Sequence, residues 1–375
     1  MEPTQIVENS SSEQEMVEEN DDGLRQSKDA HQPKTIDLWD RVLCIAVVAG
    51  LGLLIYESIR ADWFGAFMLE AERYQWAGLI VRPAILWGVM GSILLAFRTV
   101  FWFLYQSAPP PAVADAPSLT VIIPAYNEGA MVLQSIESVA RARYPRDRLE
   151  LLVVDDGSVD DTWAYIQKAA ARYPELILAT RFPRNRGKRE ALAFGFENGK
   201  GEIVVTLDSD SVIEPEALLA LVGPFRNIQV GAVAGKVKVY NRRQGLIPRM
   251  LHVRYILSFD LLRASESVYG TVYCCPGALT AYRSSVVRQV VKRWLQQTFL
   301  GAPCTVGEDR SLTNHILSCG YDTVYQRSAV VHTVAPASYA KLCRMFLRWD
   351  RSYVREELLF LRVVWKRPLP ARLMA

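Results

Sequence analysis

Between residues 119 and 225 the chain repeats one pattern four times: a short, continuous apolar run followed by a helical stretch. LTVIIPA (119–125) precedes a helical pattern near 128–142, and LELLVVDD (149–156) precedes one near 160–172. LILAT (176–180) leads into 188–198, and EIVVTLD (202–208) into 214–225. A βαβα series of this kind predicts an α/β fold with a doubly wound, mostly parallel sheet. Runs of Val, Ile and Leu without polar alternation suit strands covered on both faces.

Open α/β sheets bind ligands beyond the carboxyl ends of their strands, so the residues just after each run are the first place to look for chemistry. PAYNE follows the first run, with Tyr126, Asn127 and Glu128; DDGS closes the second, with Asp155 and Asp156. NRGKRE follows the third and opens a helix with Lys188 and Arg189; DSD closes the fourth, with Asp208 and Asp210. Each cluster alone reads equally as a solvated turn. Four on one sheet edge point to a site. Asp208 and Asp210 are two positions apart, so in extended backbone they point the same way. Their repulsion is relieved by a hard divalent cation that also binds diphosphate oxygens; the alternative is an Asp-rich turn capping a helix. Lys188 and Arg189 after Gly187 place cations at a helix N-terminus, where an anion is favoured.

Other chemistries find less support. GxGxxG and GxxxxGK[ST] are absent, and the four histidines His31, His252, His315 and His332 are too scattered for a His-based metal cluster. His332, in the apolar run VVHTV, reads as structural. Six scattered cysteines show neither zinc spacing nor a disulfide framework, which favours a reducing compartment.

The flanks differ from this body. Residues 1–36 are polar and acidic, a disordered tail without the basic start of a secretory signal. Within 37–106 lie a 15-residue apolar run, Val42 to Tyr56, and a second apolar stretch at 83–105 broken by Arg98. With their flanks both approach the roughly 20 residues of a membrane helix; the alternative is a pair of buried helices. Two crossings leave both flanks on one side. Residues 1–112 hold 8 Lys+Arg against 15 Asp+Glu, and residues 113–375 hold 35 against 25, so a body of charge +10 faces the cytoplasm in this reading. Such charge favours phosphate-bearing ligands or an anionic membrane, and no nucleic-acid motif accompanies it. Residues 107–118, SAPPPAVADAPS, read as a Pro/Ala linker, and 338–375 carry a basic helical stretch. There Leu342, Met345, Phe346, Trp349, Tyr353 and Leu361 are interleaved with Lys341, Arg344, Arg348, Arg351 and Arg355, a pattern of an interfacial or an ordinary surface helix. VGEDRSLTNHIL (306–317) puts Glu308 and Asp309 before another amphipathic helix, as caps or as a general base.

The ordered set PAYNE, VVDDGS, NRGKRE, LDSD, GED and RW resembles the family-2 inverting glycosyltransferases of GT-A fold, most of all hyaluronan synthases and the related chitin-oligosaccharide and cellulose synthases. YCCPGALTAYR (273–283), GEDRSLTN (307–314) and RWDRSYVRE (348–356) sharpen the likeness. The resemblance covers roughly 119–366 and implies a glycosyltransferase domain over 119–337. It implies that Tyr126, Glu128, Asp155 and Asp156 hold the nucleotide, and that Lys188, Asp208 and Arg348 meet the diphosphate. Asp208 and Asp210 would bind Mg2+ or Mn2+, with Asp210 the direct ligand; Asp309 would be the base; Trp349 and Gly277 would face the acceptor. The implied partners are a UDP-sugar donor, a growing glycan and a lipid bilayer (inner or plasma membrane), without nucleic acid. Two features depart from the family: Met345 replaces the Gln of QxxRW, and the chain stops at Ala375, where the relatives continue into further membrane helices. The first bears on acceptor handling and processivity. The second implies truncation or a partner chain for export.

Overall fold

The computed structural model describes residues 38–62, 65, 66, 69 and 77–374; the acidic tail expected at 1–36 lies outside them. The sheet domain lies within the compact unit Cys44–Ala375.

Its centre is an eight-stranded sheet of order β3-β2-β1-β4-β7-β6-β10-β5. The strands are β1 (Leu119–Ala125), β2 (Leu149–Asp155), β3 (Ile177–Arg181), β4 (Ile203–Leu207), β5 (Ser211–Ile213), β6 (Val230–Val239), β7 (Leu279–Arg283) and β10 (Asp322–Thr333); β8 (Thr298–Phe299) and β9 (Ala302–Pro303) form a separate hairpin. Strands β1 and β4 are buried along their whole length, as their unbroken apolar runs require. The expected helices fall at α3 (Met131–Ala140), α4 (Thr162–Arg172), α5 (Lys188–Asn198) and α6 (Ala217–Val222), and α7 (Leu246–Ile256), α8 (Ala264–Val268) and α9 (Ser284–Leu295) follow.

The sheet is mixed where the sequence predicts mostly parallel pairing. Strands β1, β2, β3 and β4 pair in parallel, as do β6 and β10. Strand β7 runs antiparallel to both β4 and β6, and β5 runs antiparallel to β10. Two antiparallel steps restore direction, so β6 and β10 run the same way as β4. The reversal of β7 matters for the site: its start, Leu279, pairs with the end of β4, Leu207. Residues preceding β7 therefore reach the edge where the parallel strands finish.

Two helices at the N-terminal side, α1 (Leu38–Arg60) and α2 (Ala77–Leu104), contain segments long and apolar enough to cross a membrane, Leu38–Arg60 and Leu86–Leu104, each only 6% buried. Arg98, the charge inside the second, is half-buried and donates from Nη2 to the Met374 carbonyl at 3.2 Å. Phe101 meets Tyr269 edge-on at 5.4 Å. The charge therefore turns toward protein, as charges in apolar spans do.

The Pro/Ala stretch 107–118 is tied to the sheet domain. Ala108 N–H donates to Gln326 Oε1 (3.1 Å), Arg148 donates to the Ala114 and Ala116 carbonyls, and Tyr144 Oη donates to the Pro117 carbonyl.

A buried ionic knot joins these parts. Asp260, on a π-helical stretch (Leu257–Arg263), takes Lys236 Nζ of β6 at 2.6 Å and Arg327 Nε of β10 at 3.2 Å. Tyr105, at the end of α2, donates to the Tyr325 carbonyl and accepts from Arg327 N–H. All three charged side chains are under 10% exposed. Breaking such a pair leaves buried charge uncompensated. Asp260→Asn should cost about 3–5 kcal/mol, read as a lowered melting temperature, and adding Lys236→Met should recover part of the loss. A melting temperature unchanged by Asp260→Asn contradicts this role for the knot.

Candidate functional site

A cavity of about 360 Å³ opens at the carboxyl edge of the sheet. Its wall takes Lys188 from the start of α5 (Lys188–Asn198), Asp208 and Asp210 from the turn after β4, Gly277 before β7, and Glu308 and Asp309 from the start of α10 (Glu308–Ser318). Met345, Arg348, Trp349 and Tyr353 come from α11 (Tyr339–Phe360). Seven of the residues to which the resemblance gave a site role thus meet here: Lys188, Asp208, Asp210, Gly277, Asp309, Arg348 and Trp349.

The strands set these positions. Ser211 N–H donates to the Asp208 carbonyl (3.1 Å), closing the turn that lets β5 leave the edge and holds the two aspartates at it. Lys188 Nζ lies 2.6 Å from Asp208 Oδ1 and 3.0 Å from Glu308 Oε1. A Cβ on Gly277 would stand 3.1 Å from that ammonium, so the glycine lets the ion pair rest on the backbone.

The carboxylates are electrically unlike. Burial and then the neighbouring Asp208 push Asp210 above the usual aspartate range. Burial and then Glu308 raise Asp309, although Arg310 N–H donates to its Oδ1 at 2.7 Å. Burial would raise Glu308 too, but Lys188, aided by Arg348, overrides it and holds that carboxyl at about 2. Burial opposes the Lys188 charge, yet Asp208 and Glu308 outweigh it and hold the ammonium well above its usual range. The result is one carboxylate locked as an anion beside another with raised proton affinity, the separation that divides roles in acid–base sites. Cys274 Sγ approaches Asp309 Oδ2 at 3.7 Å, and burial with that carboxylate keeps the thiol protonated.

Tyr126, Glu128, Asp155 and Asp156 do not line this cavity. Glu128 is nevertheless close enough for Asp210 to be the second cause, after burial, of its raised pKa. Tyr126 is 43% exposed at the same edge. Asp155 is fully buried, accepting from Ser158 N–H (3.0 Å) with Arg181 Nε at 3.1 Å. Asp156 accepts from the N–H groups of Arg186 (2.7 Å) and Gly187 (2.8 Å), bracing the turn that delivers Lys188. These two aspartates act on the loops around the cavity.

Sequence reading missed Tyr255, Ser258, Phe259, Arg263 and Cys274, which also line the wall. They precede the antiparallel β7, and a search of the residues just after parallel strands passes over them. Arg263 is fixed by the Cys274 carbonyl (Nε, 3.0 Å) and stacks on Phe259 at 4.1 Å.

Helix α11 turns part of its apolar pattern inward. Leu342, Met345 and Phe346 pack on Val239, Leu251 and Ala335, while Ser352, Arg355, Glu356 and Phe360 are buried. An exposed apolar stripe runs through Leu347, Val354, Leu358 and, just past the helix, Leu361. Glu356, fully buried, accepts from Gln297 Nε2 (3.0 Å), Asn314 Nδ2 (3.1 Å) and Arg355 Nε (2.8 Å). Arg355 Nη2 reaches the Val306 carbonyl. The helix carrying Arg348 and Trp349 is thereby bolted to the turn before Glu308.

His332, read as structural, pairs its Nε2 with Glu214 Oε1 at 3.1 Å, between β10 and the end of β5. Among the described residues no group of three or more His, Cys, Asp or Glu forms a metal cluster by itself. Asp208 and Asp210 fit a cation that takes its remaining ligands from phosphate: both line the cavity from one turn, and Mg2+-type sites use one or two carboxylates.

The chain is similar to known glycosyltransferases. Residues 120–291 match glycosyl transferase family 2. The chain is 32% identical over 292 residues to hyaluronan synthase of Streptococcus pyogenes, covering 76% of this chain and 68% of that one. It is 35% identical over 249 residues to an N-acetylglucosaminyltransferase of Rhizobium leguminosarum bv. viciae, covering 66% and 58%. A mannosyltransferase of Pyrobaculum calidifontis, solved with GDP-Man and Mn2+, shares the fold with a TM-score of 0.58 at 24% identity, over 76% of this chain and 77% of that one.

Gly307 tests how tightly the parts must meet. Its φ is +71°, and a Cβ there would come 2.3 Å from Ser352 Cβ of α11. Gly307→Ala should cost about 2 kcal/mol or more through strain and overlap, measured by denaturant unfolding, with turnover falling as α11 is displaced. Wild-type stability and turnover in this variant would show that the contact is not needed.

Proposed function

The chain belongs to glycosyl transferase family 2, and from that premise we propose that it is an inverting, membrane-bound transferase building a hyaluronan-type polysaccharide from UDP-sugars. The observation that carries the proposal is the meeting of Asp208, Asp210, Lys188, Arg348 and Asp309 around one cavity.

In this reading Asp309 removes the proton from the acceptor hydroxyl, and the oxygen attacks the anomeric carbon from the face opposite UDP. The new C–O bond forms as the bond to the diphosphate breaks, and the electron pair leaves with UDP. Lys188 and Arg348 neutralise charge on the leaving group. Asp208 and Asp210 would hold Mg2+ or Mn2+, and that cation, when bound, would add to the neutralisation of the diphosphate. In the same reading Tyr126, Glu128, Asp155 and Asp156 serve the nucleoside end of the donor, and the two aspartates also brace the loops there. Trp349, T-shaped to Phe346 at 5.7 Å, offers its indole to the acceptor sugar beside Gly277.

The raised proton affinity of Asp309 suits a base. A base works only when ionised, so activity is lost as pH falls through the Asp309 pKa, and the acidic limb of kcat/KM lies above the ordinary aspartate range.

The spans Leu38–Arg60 and Leu86–Leu104 cross the membrane in this reading, leaving the basic domain on the cytoplasmic side. The exposed stripe of α11, with Trp365, Leu369 and Leu373 beyond it and Arg344 and Arg351 beside it, lies along the interface.

Single addition of a sugar to a lipid or short glycan is a second reading, and Met345 favours it. The thioether packs among apolar residues and brings no amide to the acceptor side. Product length separates the readings, a polymer ladder against one addition.

Asp309→Asn should lower turnover by about 10²–10⁴-fold while UDP-sugar binding, followed by calorimetry, persists. Unchanged turnover removes Asp309 from the base role.

A further inference from the structure

Four elements converge on the Lys188 ammonium: the start of α5, the end of β4, the start of α10 and Gly277 before β7. Both of its carboxylate partners are partly open to the cavity, Asp208 at 28% and Glu308 at 18% side-chain exposure. The nearer contact, 2.6 Å, uses Asp208 Oδ1, so the ammonium occupies one oxygen of the carboxylate pair that a cation would need. An ammonium and a divalent cation cannot share that oxygen, because at such separations their repulsion outweighs what one carboxylate returns. A cation that takes Asp208 Oδ1 therefore displaces Lys188 from it.

Glu308 decides where it goes. At 3.0 Å it already holds the other side of the ammonium, and its ionised state is secured by Lys188 and Arg348. It is anchored to the first turn of α10, beside Asp309 and opposite Asp208 across the lysine. We propose that Glu308 is a positioning residue that retains Lys188 during an exchange of counter-ions at Asp208. The lysine neutralises Asp208 in the empty site and, still held by Glu308, turns to the diphosphate in the loaded one. This rests on the reading that Asp208 and Asp210 hold a divalent cation.

The exchange has a consequence that simple attraction of cations by acidic residues does not share. Lys188 competes with bare metal yet assists metal bound to a diphosphate. Without Glu308 the lysine has only Asp208 as its close carboxylate partner and gives it up less readily. With Lys188 gone, Glu308 has nothing to retain, and its removal becomes nearly neutral for the metal.

The test is Mn2+ binding to the full chain in lipid nanodiscs, followed by the loss of the free-ion EPR signal, with and without UDP. Lys188→Gln should bind Mn2+ alone about tenfold more tightly than wild type, and Mn2+ in the presence of UDP less tightly. Glu308→Gln should bind Mn2+ alone about fivefold more weakly, and in the Lys188→Gln background the same change should move affinity by less than about twofold. Weaker or equal Mn2+ binding by Lys188→Gln overturns the competition. An equal effect of Glu308→Gln in both backgrounds overturns the retaining role and leaves plain cation attraction. Failure of the wild-type chain to bind Mn2+ even with UDP overturns the metal reading together with the exchange.

Discussion

Four carboxylates, Asp208, Asp210, Glu308 and Asp309, converge on one cavity, and Lys188 stands between two of them. Acidic groups gathered this closely at half-buried positions repel one another and resist ionisation. The ammonium resolves that conflict on one side only. Glu308 is fixed as an anion, while Asp210 and Asp309 keep raised proton affinities. A polypeptide that leaves part of its charge uncompensated at a cavity is prepared for a cationic partner and for proton transfer. Both belong to the chemistry of a glycosyltransferase with a nucleotide donor.

The rest of the architecture serves that convergence. Parallel strands bring Asp208 and Asp210 to one edge, and antiparallel β7 delivers Gly277 to the same edge from the opposite direction. The turn braced by Asp156 aims Lys188, and the network around Glu356 fixes α11 against the turn at Gly307. Asp260 ties β6 and β10 to the π-helical wall, with Tyr105 just past α2 on the same knot. The second apolar helix and the chemical site are thereby joined by packed contacts rather than by a flexible tether.

Much of this was legible in the sequence because the signal was local. The helix at 188–198 falls at its predicted residues, since Gly187 and the run KREALAF mark its start. The βα repeats and the edge they imply follow from continuous Val, Ile and Leu runs. Strand direction was not legible: LTAYR reads the same whether β7 runs with or against β4, and only tertiary pairing decides. Tyr255, Arg263 and Cys274 were hidden for that reason. Which side of α11 faces inward was not legible, because aromatic and basic residues alternate around it; that side is set by the network at Glu356 and by the apolar pocket that takes Leu342, Met345 and Phe346. The relation between Lys188 and Glu308 joins residues 120 positions apart in sequence, beyond any local pattern.

The central claim is that this cavity transfers sugar from a nucleotide donor with the help of a divalent cation. Radiolabelled UDP-sugar incorporation by the purified chain in lipid, with and without Mn2+, tests it most directly. The predicted result is Mn2+-dependent incorporation that chelation abolishes. UDP binding without any incorporation at saturating Mn2+ would contradict it and leave a nucleotide-binding membrane protein that does not turn over.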